Sequence, residues 1–182
     1  MPKYTKDISF LIKMSSEERK EYIANVIDNL NSIEDKVFTA ILYLTGARPQ
    51  EVKLMTKKDI TEVGDDVVFY IRTVKRGFDR SITLSKNTPF IGMILKYIET
   101  LKYDDELIYK KTLRAYRHNI DKASHGKLCP YSFRHFRTDY IVRMTSNLDV
   151  ARYWRGTKTL DAIVSYLHLA GVMTKKLKDK IE

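Results

Sequence analysis

Hydrophobic periodicity changes twice along this chain, and those changes restrict the folds open to it. As far as Met55 the apolar residues recur at helical spacing. Between Val67 and Leu84 they fall instead in short β-favouring runs, and beyond Pro89 the helical spacing returns. Residues 16–30 read as a helix carrying Tyr22, Ile23, Val26, Ile27 and Leu30 on one face. A second helix, 33–45, follows a capping signal at Ser32–Asp35 and stops near Gly46. Pro49 suits the first turn of a third, running to about Met55. Val67–Ile71 with Val74, and Ser81–Leu84, favour strands, and Gly77 between them supplies a turn, so 66–84 reads as a β-hairpin. Further helices are expected from Pro89 to about Leu101 and over 112–124, 131–144, 148–155, 160–169 and 172–181. The expected class is α+β, mainly α-helical, with one small antiparallel hairpin or sheet.

With 182 residues and no repeat or Gly/Ser linker, one domain over 1–182 is the simplest organisation, with 1–15 loosely ordered. The formal net charge is +10, from 33 Lys+Arg against 23 Asp+Glu. That excess favours a polyanionic partner, because each neutralised phosphate releases condensed counterions. A single cysteine, Cys129, excludes an internal disulfide and a multi-cysteine zinc site, and is compatible with a reducing cytoplasm. The first residues lack a signal-peptide pattern. No stretch approaches the roughly 20 apolar residues of a membrane span. One glutamine among many Lys, Glu, Ile and Tyr leans toward a thermophilic source.

Four polar residues on separate segments carry the chemistry. Arg48 lies in TGARPQEV, Lys75 in VKRGFDRSITL, Arg134 in YSFRHFRTDY and Tyr166 in DAIVSYLHL. A guanidinium can fork two phosphate oxygens, and Glu51, one turn along, can orient that of Arg48. An ammonium at a hairpin tip can protonate a leaving oxygen. A phenol surrounded by cations can act as a nucleophile. Taken singly, each has a plainer reading: a solvated Arg48, a core helix with a basic outer face around Arg134, a solvated turn lysine, and a packed Tyr166.

Together, their order and motifs resemble the catalytic domain of tyrosine recombinases, the phage-integrase class. TGARPQEVKLMTKKDI resembles the first arginine motif, VKRGFDRSITL the β2–β3 turn with its lysine, YSFRHFRTDY the second arginine motif and SYLHLAG the nucleophile segment. The resemblance spans roughly residues 20–182. It implies a metal-independent, cofactor-free enzyme that cleaves and rejoins DNA. Arg48 and Arg134 would clamp the scissile phosphate, Lys75 would act as general acid and Tyr166 as nucleophile, through a 3′-phosphotyrosine. Tyr131 stands where the family has a histidine and is expected to assist. Thr157 stands at the usual His/Trp position, with Trp154 and Arg155 close but out of register. Such losses resemble integrases of archaeal viruses and plasmids. His135 is expected to be structural, and His168 lies near the nucleophile in sequence.

The resemblance also implies an absent N-terminal core-binding domain and a host-cell cytoplasmic or nucleoid location. Double-stranded DNA is the expected partner, with a tetramer on DNA and a monomer or weak dimer without it. Arg76, Arg80, Arg114, Arg117, Lys122 and Arg137 are the expected DNA-binding residues, the 112–124 helix being the expected groove-facing element. Two alternatives share the residues: a type IB topoisomerase, and a catalytically decayed DNA-binding regulator.

Overall fold

The structure, a computed structural model, describes residues 6–161 together with 163 and 164. Tyr166, His168, most of the helix expected over 160–169 and the Lys-rich segment 172–181 lie outside the described residues. In chain order the elements are α1 (Ser9–Lys13), α2 (Ser16–Asp28), α3 (Ile33–Thr45), α4 (Pro49–Lys53), β1 (Ile60–Val63), β2 (Asp66–Ile71) and β3 (Arg80–Ser85). They continue as α5 (Ile91–Glu99), α6 (Leu113–Ala123), α7 (Ser132–Thr145) and α8 (Leu148–Arg155). None of the described helices is long and apolar enough to cross a membrane.

Helix α3 is the hub. Val37, Phe38, Ala40, Ile41, Leu42 and Leu44 are all buried, so it is apolar on nearly every side, as a helix enclosed by others must be. It packs against α2, α5 and α7. Ser32 caps its start by accepting from the Asp35 backbone N–H at 3.2 Å. Gly46 ends it in the left-handed region, φ +63°. A Cβ there would come within 2.7 Å of the Arg137 Cβ, so close packing as well as φ requires glycine. This turn sets Arg48 immediately before α4.

The expected hairpin is a three-stranded antiparallel sheet, order β1-β2-β3. The additional strand, β1, has three of its four residues exposed, so it lacks an alternating apolar signal. Phe69 pairs with Ile82 and Ile71 with Arg80, and alternation turns Val67, Phe69, Ile71 and Ile82 into the core. Residues 9–13, expected to be loosely ordered, form α1. Its Leu11 is fully buried against the main core, so burial of one side chain fixes the segment.

Candidate anion-binding site

Arg48 and Arg134 lie where α4, the β2–β3 connection that carries Lys75, α7 and the end of α8 converge. Glu51 is the central carboxylate, with a fully buried side chain. It accepts from the Arg48 backbone N–H at 2.8 Å, from Arg48 Nη1 at 2.7 Å and from Arg80 Nη2 at 3.0 Å. Burial alone would raise its pKa, but Arg80 and Arg48 outweigh that and hold it below the ordinary carboxylate value. Arg48 is thereby oriented while its side chain stays 16% exposed.

Arg134 is only 4% exposed. Its Nη1 donates to the Gly46 carbonyl at 3.1 Å, two residues from Arg48, and its Nη2 to the Arg155 carbonyl at 2.8 Å. One guanidinium therefore joins the end of α3 to the end of α8. Burial first, and then the guanidiniums of Arg155, Arg48 and Arg80, push its pKa well below the usual arginine value, while Glu51 opposes them. Three guanidiniums and one carboxylate thus act on the buried Arg134. Two like charges held 4 Å apart repel by about 4 kcal/mol at an effective dielectric near 20. An arrangement of this kind is complementary to an anion.

Lys75 lies exposed in the connection between β2 and β3. That connection is docked onto the end of α8. A Cβ on Gly77 would lie 2.5 Å from the Gly156 carbonyl oxygen, so the two backbones touch and only glycine fits. Phe78 packs against Tyr153 with ring centroids 5.8 Å apart, and Arg80 Nε donates to the Trp154 carbonyl at 2.8 Å. The lysine's segment and Arg134 are consequently anchored to neighbouring residues of α8.

The remaining expected site residues divide. Tyr131 precedes α7, one turn before Arg134, and is 41% exposed. Thr157 is 8% exposed, directly after Gly156. His135 is half-buried; burial, with Arg155 and Arg134 beside it, lowers its pKa to about 4, so it is neutral at pH 7. Tyr166 lies outside the described residues. Arg76 on the β2–β3 connection and Arg114, Arg117 and Lys122 on α6 are exposed. Among the described residues no group of three or more His, Cys, Asp or Glu is placed to hold a metal ion.

Two expected DNA contacts are corrected. Arg80 has a fully buried side chain in ion-pair contact with Glu51, because strand alternation points it inward beside Ile82. Arg137 is half-buried and turned toward α3. Its Nε and Nη2 donate to the Tyr43 carbonyl at 3.0 and 2.7 Å, and its guanidinium lies over the Tyr43 ring, 5.1 Å from the centroid. It satisfies a carbonyl in the last turn of α3 with two of its donors. Conversely, Arg155 enters the cluster although no motif marked it.

No protein-family model matches the chain, and no curated protein sequence matches it. Solved structures do. The chain is similar to XerH site-specific recombinase bound to palindromic difH substrate in a post-cleavage complex, with a TM-score of 0.71 and 15% identity over 91% of this chain and 52% of that one. It is similar to XerA recombinase (TM-score 0.68, 14% identity, 92% of this chain and 64% of that one). It is also similar to the catalytic domain of bacteriophage HP1 integrase (TM-score 0.62, 16% identity, 87% of this chain and 90% of that one). The chain spans about half the length of the XerH structures. Its mainly helical architecture with a small antiparallel sheet is the tyrosine-recombinase catalytic fold.

Proposed function

We propose that this chain is the catalytic domain of a site-specific DNA recombinase of the tyrosine class, an integrase acting without metal or ATP. The observation that carries the reading is the pairing of Arg48 and Arg80 with the buried carboxylate of Glu51, with Arg134 and Arg155 beside them, within that fold. Phosphoryl transfer needs positioning and charge stabilisation more than covalent chemistry from the protein. Arg48 and Arg134 clamp the scissile phosphate and offset the charge of the pentacovalent transition state. The Tyr166 oxygen attacks phosphorus in line and the phenolic proton passes to water. The P–O5′ bond breaks, and Lys75 gives O5′ its proton. The product is a 3′-phosphotyrosyl link and a free 5′-hydroxyl; attack by a 5′-hydroxyl from another strand reverses the step.

Tyr131 assists by donating a hydrogen bond to the phosphate, and Glu51 orients Arg48. Arg76, Arg114, Arg117 and Lys122 contact double-stranded DNA through its backbone. Thr157 cannot take over imidazole or indole chemistry, and that departure supports kinship with integrases of archaeal viruses and plasmids. On DNA the protein works as a homo-oligomer, a tetramer for strand exchange, in the host cytoplasm or nucleoid.

The test uses a randomised library of nicked duplexes whose cleaved fragment diffuses away. In EDTA, a protein–DNA adduct on denaturing gels is expected from the chain as it stands and not from Tyr166→Phe. An adduct followed by religation of the same strand only, with relaxation of supercoils, would point to a type IB topoisomerase. Salt-dependent binding without any adduct would point to a decayed DNA-binding regulator.

A further inference from the structure

Arg155 and Arg134 brace one another. Arg134 Nη2 donates to the Arg155 carbonyl at 2.8 Å. In return, Arg155 Nη1 donates to Thr138 Oγ1 at 2.9 Å, and that hydroxyl donates to the Arg134 carbonyl at 2.8 Å. Thr138 is buried one helical turn beyond Arg134, so the Arg155 side chain is held against the face of α7 that carries Arg134. Two cations are therefore fixed side by side, where solvent screens them poorly. Arg134 is buried and Arg155 half-buried, which makes Arg155 the outer of the two.

The chain direction explains how Arg155 comes to be there. It is the last residue of α8, and Gly156 then turns the backbone through the left-handed region, φ +67°. The following Thr157 is buried and neutral, so it brings no charge to the site. Arg155 in the last turn also complements the helix dipole, which by itself would be a purely structural role. That role does not explain why its side chain is tied to Thr138 beside a second guanidinium.

We infer that Arg155 supplies a third guanidinium to the anion site, contacting a phosphate oxygen that Arg48 and Arg134 leave uncovered. The ligand class is a tetrahedral oxyanion, in DNA a phosphodiester. The inference rests on the phosphate-site reading of the Arg48–Arg134 pair and assigns a further residue to it. A forked guanidinium suits this task better than the compact charge of a lysine.

The experiment titrates the full chain with inorganic phosphate at low ionic strength, followed by ³¹P NMR. Dissociation constants are compared with those of Arg155→Gln, Arg155→Lys, Thr138→Val and Arg48→Ala. Losing one charge-assisted hydrogen bond corresponds to roughly a tenfold weaker constant. We expect that loss for Arg155→Gln, a few-fold loss for Arg155→Lys, and about threefold for Thr138→Val. The protonation midpoint of bound phosphate should also rise in Arg155→Gln, since a dianion loses a cation, and a structural brace would not move it. Wild-type affinity in Arg155→Gln, with binding lost in Arg48→Ala, overturns the inference and leaves the phosphate site standing. Should Arg155→Gln not fold, unchanged affinity in Thr138→Val overturns it. Absence of phosphate binding by the unsubstituted chain would sink the site reading and the inference together.

Discussion

Breaking the Glu51–Arg80 pair should cost far more than its exposed counterparts. Both side chains are fully buried, and the ion-pair distance is 3.0 Å. Arg80 Nη1 is buried without a hydrogen-bond partner among the described residues, so its charge depends heavily on Glu51. Glu51 accepts three hydrogen bonds, each worth roughly 1.5–3 kcal/mol as a charged bond, against a desolvation cost of several kcal/mol. Removing one partner leaves an uncompensated buried charge, for which about 3–5 kcal/mol is the usual loss. Equilibrium denaturation of Glu51→Leu and of Arg80→Met should show losses of this size, with Tm falling by roughly 6–20 °C. The double variant replaces ions with apolar groups, and should lose about 2–3 kcal/mol less than the sum of the singles. By contrast, Lys86→Met at the exposed pair with Glu62 should cost under about 1 kcal/mol. Additivity of the Glu51 and Arg80 changes within about 0.5 kcal/mol would refute the reasoning, because it would mean that the two charges do not depend on one another.

Gly156→Ala should destabilise by about 2–4 kcal/mol, since the left-handed φ and a Cβ 2.7 Å from the held Arg80 Cζ both oppose it. Gly64→Ala shares a positive φ in open space and should cost only roughly 1 kcal/mol in the same denaturation assay. Glu51 and Asp35 are both held below the ordinary carboxylate range: burial raises each, but Arg80 and Arg48, or Lys111, Tyr109 and Ser32, outweigh it. Their stabilisation is therefore complete above the unfolded carboxylate pKa and is lost as pH falls through the folded values, which acid denaturation should show. The ¹H NMR titration of His135 should have its midpoint near 4; because its folded pKa is depressed from 6.5, stability falls as pH drops from about 6.5 toward 4. In DNA-binding titrations, Arg114→Gln should lower the slope of log K against log salt by about 1 at unchanged Tm. Arg137→Gln should lower Tm and leave that slope unchanged, since its guanidinium caps α3.

What the sequence made legible follows from local physics. The bounds of α3 match the expected 33–45 because a serine cap and a left-handed glycine enclose an apolar run. Likewise α8 begins after Asn147, whose side chain accepts from the Asp149 and Val150 N–H groups. Strand β1 was missed because exposed Thr61, Glu62 and Val63 carry no core signal, yet the two-residue Gly64–Asp65 connection was a readable hairpin turn. Arg80 and Arg137 were misplaced because charge was read without face. Arg80 shares the inward side of its strand with Ile82, and Arg137 falls at helical spacing with Phe133 and Tyr140. The bond from Arg134 to the Gly46 carbonyl spans 88 positions and has no local trace. Arg155 joins the site only through that kind of long-range closure.

The central claim is that Tyr166 attacks a phosphodiester held by the Arg48–Arg134 clamp, and locating the covalent link tests it most directly. Trapped adduct, trimmed by nuclease and digested by protease, would be sequenced by tandem mass spectrometry. The account predicts a nucleotide attached to Tyr166, and no adduct from Arg134→Ala. A nucleotide on Tyr153 or Tyr131, or an adduct that persists in Tyr166→Phe, would contradict it.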